Sequence, residues 1–139
     1  MVANASALPA MDLYTPMRFK VWWSRSMKFE PGNFGLSVEG VYLIGYLDKR
    51  WNRKYVVYVG QGKIGPSLAD NFNKPRIKAL IGVPGRVGYY RYCECRDRDE
   101  RLAIEWCLYR KHGGPELCNE APPPGANRNW RVILQEEFR

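Results

Sequence analysis

No run of apolar residues in this chain approaches the ~18 that a membrane-spanning helix needs. No basic amphipathic helix stands out either, so neither a span nor a membrane-surface role is expected. Met1 to Ala10 carry neither a positive leading segment nor a sustained apolar core, which excludes a signal peptide there and points to a flexible arm on a cytoplasmic protein. Cysteine is sparse. Cys93, Cys95, Cys107 and Cys118 match no zinc spacing, and free thiols packed as small hydrophobes are the simpler account. Cys93 and Cys95 lie two apart on a predicted strand and so share a face. Histidine is almost missing: His112 stands alone, at a predicted helix C-terminus where a cation is favoured, and reads as structural. Repeats and low-complexity stretches are also absent, and 139 residues are too few for two secure cores. One compact domain with an arm remains.

What the chain has in excess is positive charge and aromatic rings. Lys and Arg number 22 against 14 Asp and Glu, a net charge of +8, which points to a polyanionic partner and above all to nucleic acid. Nine Tyr and five Trp supply much buried area, yet each needs a partner for its polar tip.

The periodicities predict a small α/β (α+β) domain. Phe19, Val21 and Trp23 alternate in a short strand, with Trp22 and Trp23 packing over the sheet. Pro31 to Gly35 marks a loop. Val41 to Leu47 and Tyr55 to Val59 read as two strands, joined by a basic hairpin holding Lys49, Arg50, Trp51, Arg53 and Lys54. Pro66 suits the first turn of a short helix that Pro75 limits. Ile77 to Ile81 is a further short apolar stretch, and Arg86 to Cys95 a third strand. Asp97 with Glu100 resembles a capping box, opening a helix to about His112 that Gly113, Gly114 and Pro115 stop. Trp130 to Leu134 adds a last strand.

Two tripeptides on the neighbouring strands carry the chemistry: Gly40-Val41-Tyr42 and Tyr58-Val59-Gly60. If the register brings Tyr42 and Tyr58 to one face, two phenols meet. Lys54, two and four residues before Val56 and Tyr58, falls on the same side of an unbroken strand and could lower a phenol's pKa. The plain alternative is a pair of core tyrosines. On the long helix, Leu102, Glu105 and Leu108 share a face, so Glu105 lies among apolar neighbours. A carboxylate there needs a cation or donors. The plain alternative is an exposed ion pair with Arg101, one turn earlier.

With these residues in view, the chain resembles the GIY-YIG nuclease superfamily, with Val for Ile in both tripeptides. Val59-Gly60-Gln61-Gly62 is similar to the family's turn after the second motif. Glu105, Leu108, Arg110, Lys111, Pro115 and Asn119 follow the family's order in the second half, with a residue or two extra near Gly113-Gly114. The resemblance covers Gly40 to Asn119 and implies a three-stranded antiparallel sheet flanked by helices over residues 40–139, with 1–39 as an accessory segment. It implies a DNA endonuclease in which Glu105 holds one Mg²⁺ or Mn²⁺. Tyr42 would be the general base on water, Tyr58 would position that water, and Asn119 would tie the later segment to the site. Gly40 and Gly60 would be structural.

One departure bears on activity. The family's helix Arg, and the His one turn on, fall at Ser67 and Asn71, which carry no charge. The nearest basic candidates are Lys54 and Lys63, so a catalytically weakened binding module is the alternative. Lys49, Arg50, Arg53, Lys63 and Arg76 are expected to contact nucleic acid, with Trp51 available for stacking. Nothing separates a reader of the 2′-OH from a DNA binder, so RNA stays open. Oligomeric state has no signature.

Overall fold

The computed structural model describes residues 16–127 and 131–139; the predicted N-terminal arm and Trp130 lie outside the described residues. Strand β1 (Met17–Trp23) leads to a two-residue strand β2 (Met27–Lys28), then β3 (Glu39–Asp48) and β4 (Arg53–Lys63) form the hairpin. Asn52 holds the hairpin turn at φ 50°, a left-handed conformation that asparagine tolerates. Helices α1 (Ile64–Phe72) and α2 (Pro75–Ile81) follow, then β5 (Arg86–Glu94), α3 (Arg98–Lys111) and β6 (Val132–Phe138). The N-cap of α3 forms as expected: the Asp97 carboxylate accepts from the Glu100 amide at 3.0 Å. Gly113, at φ 112°, ends the run where a residue with a side chain would be strained.

The α+β class holds, but the sheet is not three-stranded. The order is β2-β5-β3-β4, all antiparallel, so β2 adds a fourth strand beyond β5. Separately, β1 and β6 pair in parallel, Met17 with Val132 through Trp23 with Phe138. This pairing binds the segment before Gly40 into the fold. Val21 and Trp23 share a core with Val41, Leu43, Val59 and the α3 residues Ile104 and Leu108. Phe29 joins the core on the other sheet face, around Tyr42, Ile44, Tyr46, Leu68 of α1 and Ile77 of α2.

The hairpin contains a bulge that the alternation could not show. Ile44 pairs with Tyr58, but Gly45 pairs with Val56, leaving Val57 as the extra residue. Past this point the phase of β4 inverts. Val57 packs with Tyr42 and Ile44, while Val56 belongs to the α3 side. Trp22 and Trp23 also part company: Trp23 is fully buried and donates its indole N–H to Glu136 at 2.9 Å, whereas Trp22 stays half-exposed under the Lys20 ammonium.

Candidate active site

The register does bring the two motif tyrosines together. Tyr42 pairs with Gly60 and Tyr58 with Ile44, so the phenols are diagonal neighbours on one face, stacked with ring centroids 6.0 Å apart. Both motif glycines are required by close approach. A Cβ on Gly60 would stand 2.3 Å from the Tyr42 hydroxyl oxygen, so the ring lies directly across that residue. A Cβ on Gly40 would stand 2.0 Å from the carbonyl oxygen of Cys93 on β5.

Helix α1 delivers a donor to the Tyr42 oxygen. Asn71, itself buried, donates Nδ2 to the hydroxyl at 2.9 Å and also to the Ser67 carbonyl at 2.9 Å. The positions aligned with the family's Arg and His therefore hold neutral groups, and the second of them, Asn71, bonds Tyr42 directly. Burial pushes the Tyr42 phenol far above its ordinary value; Tyr58 and the Glu105 charge add to the rise, and Ser67 opposes it. Tyr42 is thus a neutral phenol near pH 7.

Glu105 is buried between Leu102 and Leu108, as its spacing predicts. The exposed pair with Arg101 does not form. Arg101 is itself buried, donating to Gln61 at 3.0 Å and to the carbonyls of Cys95 and Arg96 at 3.2 and 2.8 Å, and it pairs with Glu39 at 3.4 Å. That network clamps α3 against the start of β3 and the end of β4, one helical turn from Glu105. Glu105 itself has no ion pair among the described residues, and its Oε1 is buried without a hydrogen-bond partner. Burial alone raises its carboxyl to about 7. Among the described residues no three His, Cys, Asp or Glu side chains gather as a metal cage, so Glu105 is a single carboxylate, a ligand chemistry compatible with Mg²⁺ or Mn²⁺, ions that retain several waters.

Asn119 does what an edge clamp must. Its Oδ1 accepts from the Val59 amide at 3.3 Å and its Nδ2 donates to the Val59 carbonyl at 2.7 Å, while the Cys118 amide donates to the bulge carbonyl of Val57 at 2.7 Å. The open edge of β4 is covered at the residue following Tyr58.

Lys54 is a correction. Because of the bulge it lies on the α3 side, its ammonium 5.0 Å from the Tyr89 ring centroid and 3.4 Å from the Ser26 hydroxyl, away from the tyrosine pair. A cation that does stand beside Tyr58 is Lys74, at the start of α2, with Nζ 5.3 Å from the ring centroid. Sequence reasoning missed it, and the available signal was only its position one turn past Asn71. Its carboxylate partner, Glu120 at 3.8 Å, is largely exposed.

The remaining basic residues divide. Lys63 is exposed at the start of α1, and the Arg76 guanidinium is felt by the buried Cys118 thiol beside Asn119. Lys49, Trp51 and Arg53 are exposed at the far hairpin, roughly 20 Å from Tyr42 at ~3.3 Å per strand residue. Arg50 is partly occupied: its backbone N–H and guanidinium bond Asp48 at 3.0 and 3.4 Å, holding that carboxyl low. His112 is half-buried, and burial keeps its imidazole below the usual range, so it does not serve as a capping cation.

No protein-family model matches the chain, and comparison with curated proteins and with solved structures finds no match. No helix among the described residues is long and apolar enough to cross a membrane.

Proposed function

We propose that this protein is a divalent-metal-dependent endonuclease that hydrolyses phosphodiester bonds in DNA, using water as nucleophile. The observation that carries the reading is the buried Glu105 carboxylate, whose Oε1 has no hydrogen-bond partner among the described residues. Such a carboxylate is costly unless a cation joins it. Mg²⁺ or Mn²⁺ held by Glu105 would supply positive charge to the scissile phosphate and to the oxyanion that develops there.

The protein's own groups do the rest. Tyr42 orients the attacking water through its oxygen and takes the water's proton when its own is gone. The Asn71 amide stabilises the negative oxygen in that state. Tyr58 fixes the water from the neighbouring position. Lys74 supplies the cation that α1 lacks, leaving an exposed carboxylate to meet phosphate. As the water oxygen bonds to phosphorus, the bond to the leaving sugar oxygen breaks, that oxygen takes a proton from solvent water, and no covalent enzyme intermediate forms. Lys63, Arg76 and the hairpin residues Lys49, Arg50 and Arg53 contact phosphates along the duplex.

The test is nicking of supercoiled plasmid in Mg²⁺ or Mn²⁺ against EDTA. Glu105→Ala is expected to abolish cleavage without loss of fold, and unchanged cleavage in that variant would sink the assignment. The second reading, a DNA-binding module with weakened catalysis, is favoured by the neutral Ser67 and Asn71. It requires no cleavage with any divalent metal, alongside DNA affinity that falls steeply with salt.

A further inference from the structure

Beside the tyrosine pair, and not part of it, lies a cavity of about 480 Å³ between the segment holding Gly32 to Leu36 and the end of β5. Its position follows from two pairings. Tyr92, on its wall, is the direct cross-strand partner of Tyr42, so the cavity begins one strand over from the general base on the same sheet face. Ser24 fixes Tyr92 from both sides: its amide donates to the Tyr92 carbonyl at 2.8 Å, and its hydroxyl accepts from the Tyr92 amide at 3.0 Å. The second pairing is the parallel one. Because Trp23 and Phe138 are in register, the residues just beyond them leave the sheet at the same end, and Arg25 and Arg139 reach the cavity together. Both guanidiniums are exposed and have no ion pair among the described residues.

A tyrosine with a rigid backbone, apolar walls and two free guanidiniums are the parts that hold one nucleotide of a single strand: the ring for its base, the charges for its phosphates. The volume suits one base with its sugar. We propose that this cavity is a nucleotide subsite that takes a DNA nucleotide flanking the cleaved phosphate, its base stacked on Tyr92 and its phosphates on Arg25 and Arg139. This inference rests on the endonuclease reading for the identity of the strand. It adds that the substrate is locally unpaired beside the cut, because a base held within a duplex cannot enter the cavity.

The experiment measures binding without turnover. A fluorescein-labelled thymidine tetranucleotide is titrated by anisotropy in EDTA over a range of salt concentrations. Gly35→Trp fills the mouth of the cavity, and nothing lies within 4 Å of the place its Cβ would take, so the fold has room for the change. That variant is expected to weaken binding by about tenfold, the size of one lost base stack. Arg25→Ala is expected to reduce the salt slope by about 0.7, one phosphate contact on a single strand. Wild-type affinity and slope in both variants, no binding by the unaltered protein, or tighter binding of the matching ribonucleotide would overturn the proposal. Plasmid cleavage is scored separately. Cleavage with unaltered oligonucleotide binding in the variants defeats the subsite alone; the expected binding losses without any metal-dependent cleavage defeat the nuclease reading alone.

Discussion

The side-chain amide of Asn71 donates to the Tyr42 hydroxyl across 2.9 Å, in a hydrogen bond buried between α1 and the sheet. Its other bond, to the Ser67 carbonyl one turn back, fixes the amide's direction. The Tyr42 oxygen therefore accepts a hydrogen bond from an amide whose own direction is fixed by the helix.

The first expectation concerns pH. The Tyr42 pKa lies far above neutral, so the deprotonated fraction grows about tenfold per pH unit below it. With Tyr42 as base, kcat/KM for plasmid or oligonucleotide cleavage rises with a slope near one across neutral and mildly alkaline pH. Tyr42→Phe loses both the activity and the slope.

Glu105 makes a prediction in metal-free protein. Its carboxyl is raised by burial from 4.5 to about 7, so its ionisation opposes folding. The stability tied to its protonated form is whole below pH 4.5 and is lost as pH rises through 7. The loss is roughly 3 kcal/mol, at 1.36 kcal/mol per unit. Urea unfolding in EDTA at pH 4.5 and pH 8 is expected to show this fall, and Glu105→Gln to remove it.

Lys74 and Lys54 are predicted to differ. Lys74→Ala is expected to lower kcat by about 10²-fold while Lys74→Arg retains most of it, because one charged donor to the phosphoryl group is lost and then restored. Adding Ser67→Arg to Lys74→Ala is expected to recover activity. Lys54→Ala, across the sheet beside Tyr89, leaves kcat unchanged.

Gly60→Ala tests how tightly the pair is packed. The new Cβ meets the Tyr42 ring and hydroxyl at 2.3–2.8 Å, and the ring is buried with nowhere to retreat. The expected cost is about 1–3 kcal/mol in denaturant unfolding. Cleavage suffers more than stability does, since Tyr42 must leave its Asn71 bond.

Asn119→Leu removes both bonds to Val59 and leaves that peptide unpaired at the sheet edge. A loss of about 1–3 kcal/mol is expected. Amide exchange at Val59 speeds up by more than at Val41 on the central strand.

The sequence made much of the site legible because its signals are local. Asp97 with Glu100 marked the α3 cap, and Leu102, Glu105 and Leu108 showed a carboxylate heading into a core. The hairpin strands were clear from their apolar runs. Lys54 was misread for a definite reason: a β-bulge adds one residue without any mark in composition, and alternation counted across it assigns the wrong face. Lys74 was missed because nothing in spacing tells that a residue between two short helices will stand over a tyrosine ring.

By itself, the sequence determined the α+β class, most element boundaries, and a basic chain with a carboxylate among apolar neighbours. Those features depend on propensity, capping and periodicity over a few residues. Only the tertiary structure decided the partners: β1 against β6, the bulge at Val57, Asn71 on Tyr42, Arg101 on Glu39 and Gln61, and Lys74 over Tyr58. Each joins residues far apart in the chain, and long-range packing and register, which no local window contains, determine where they meet.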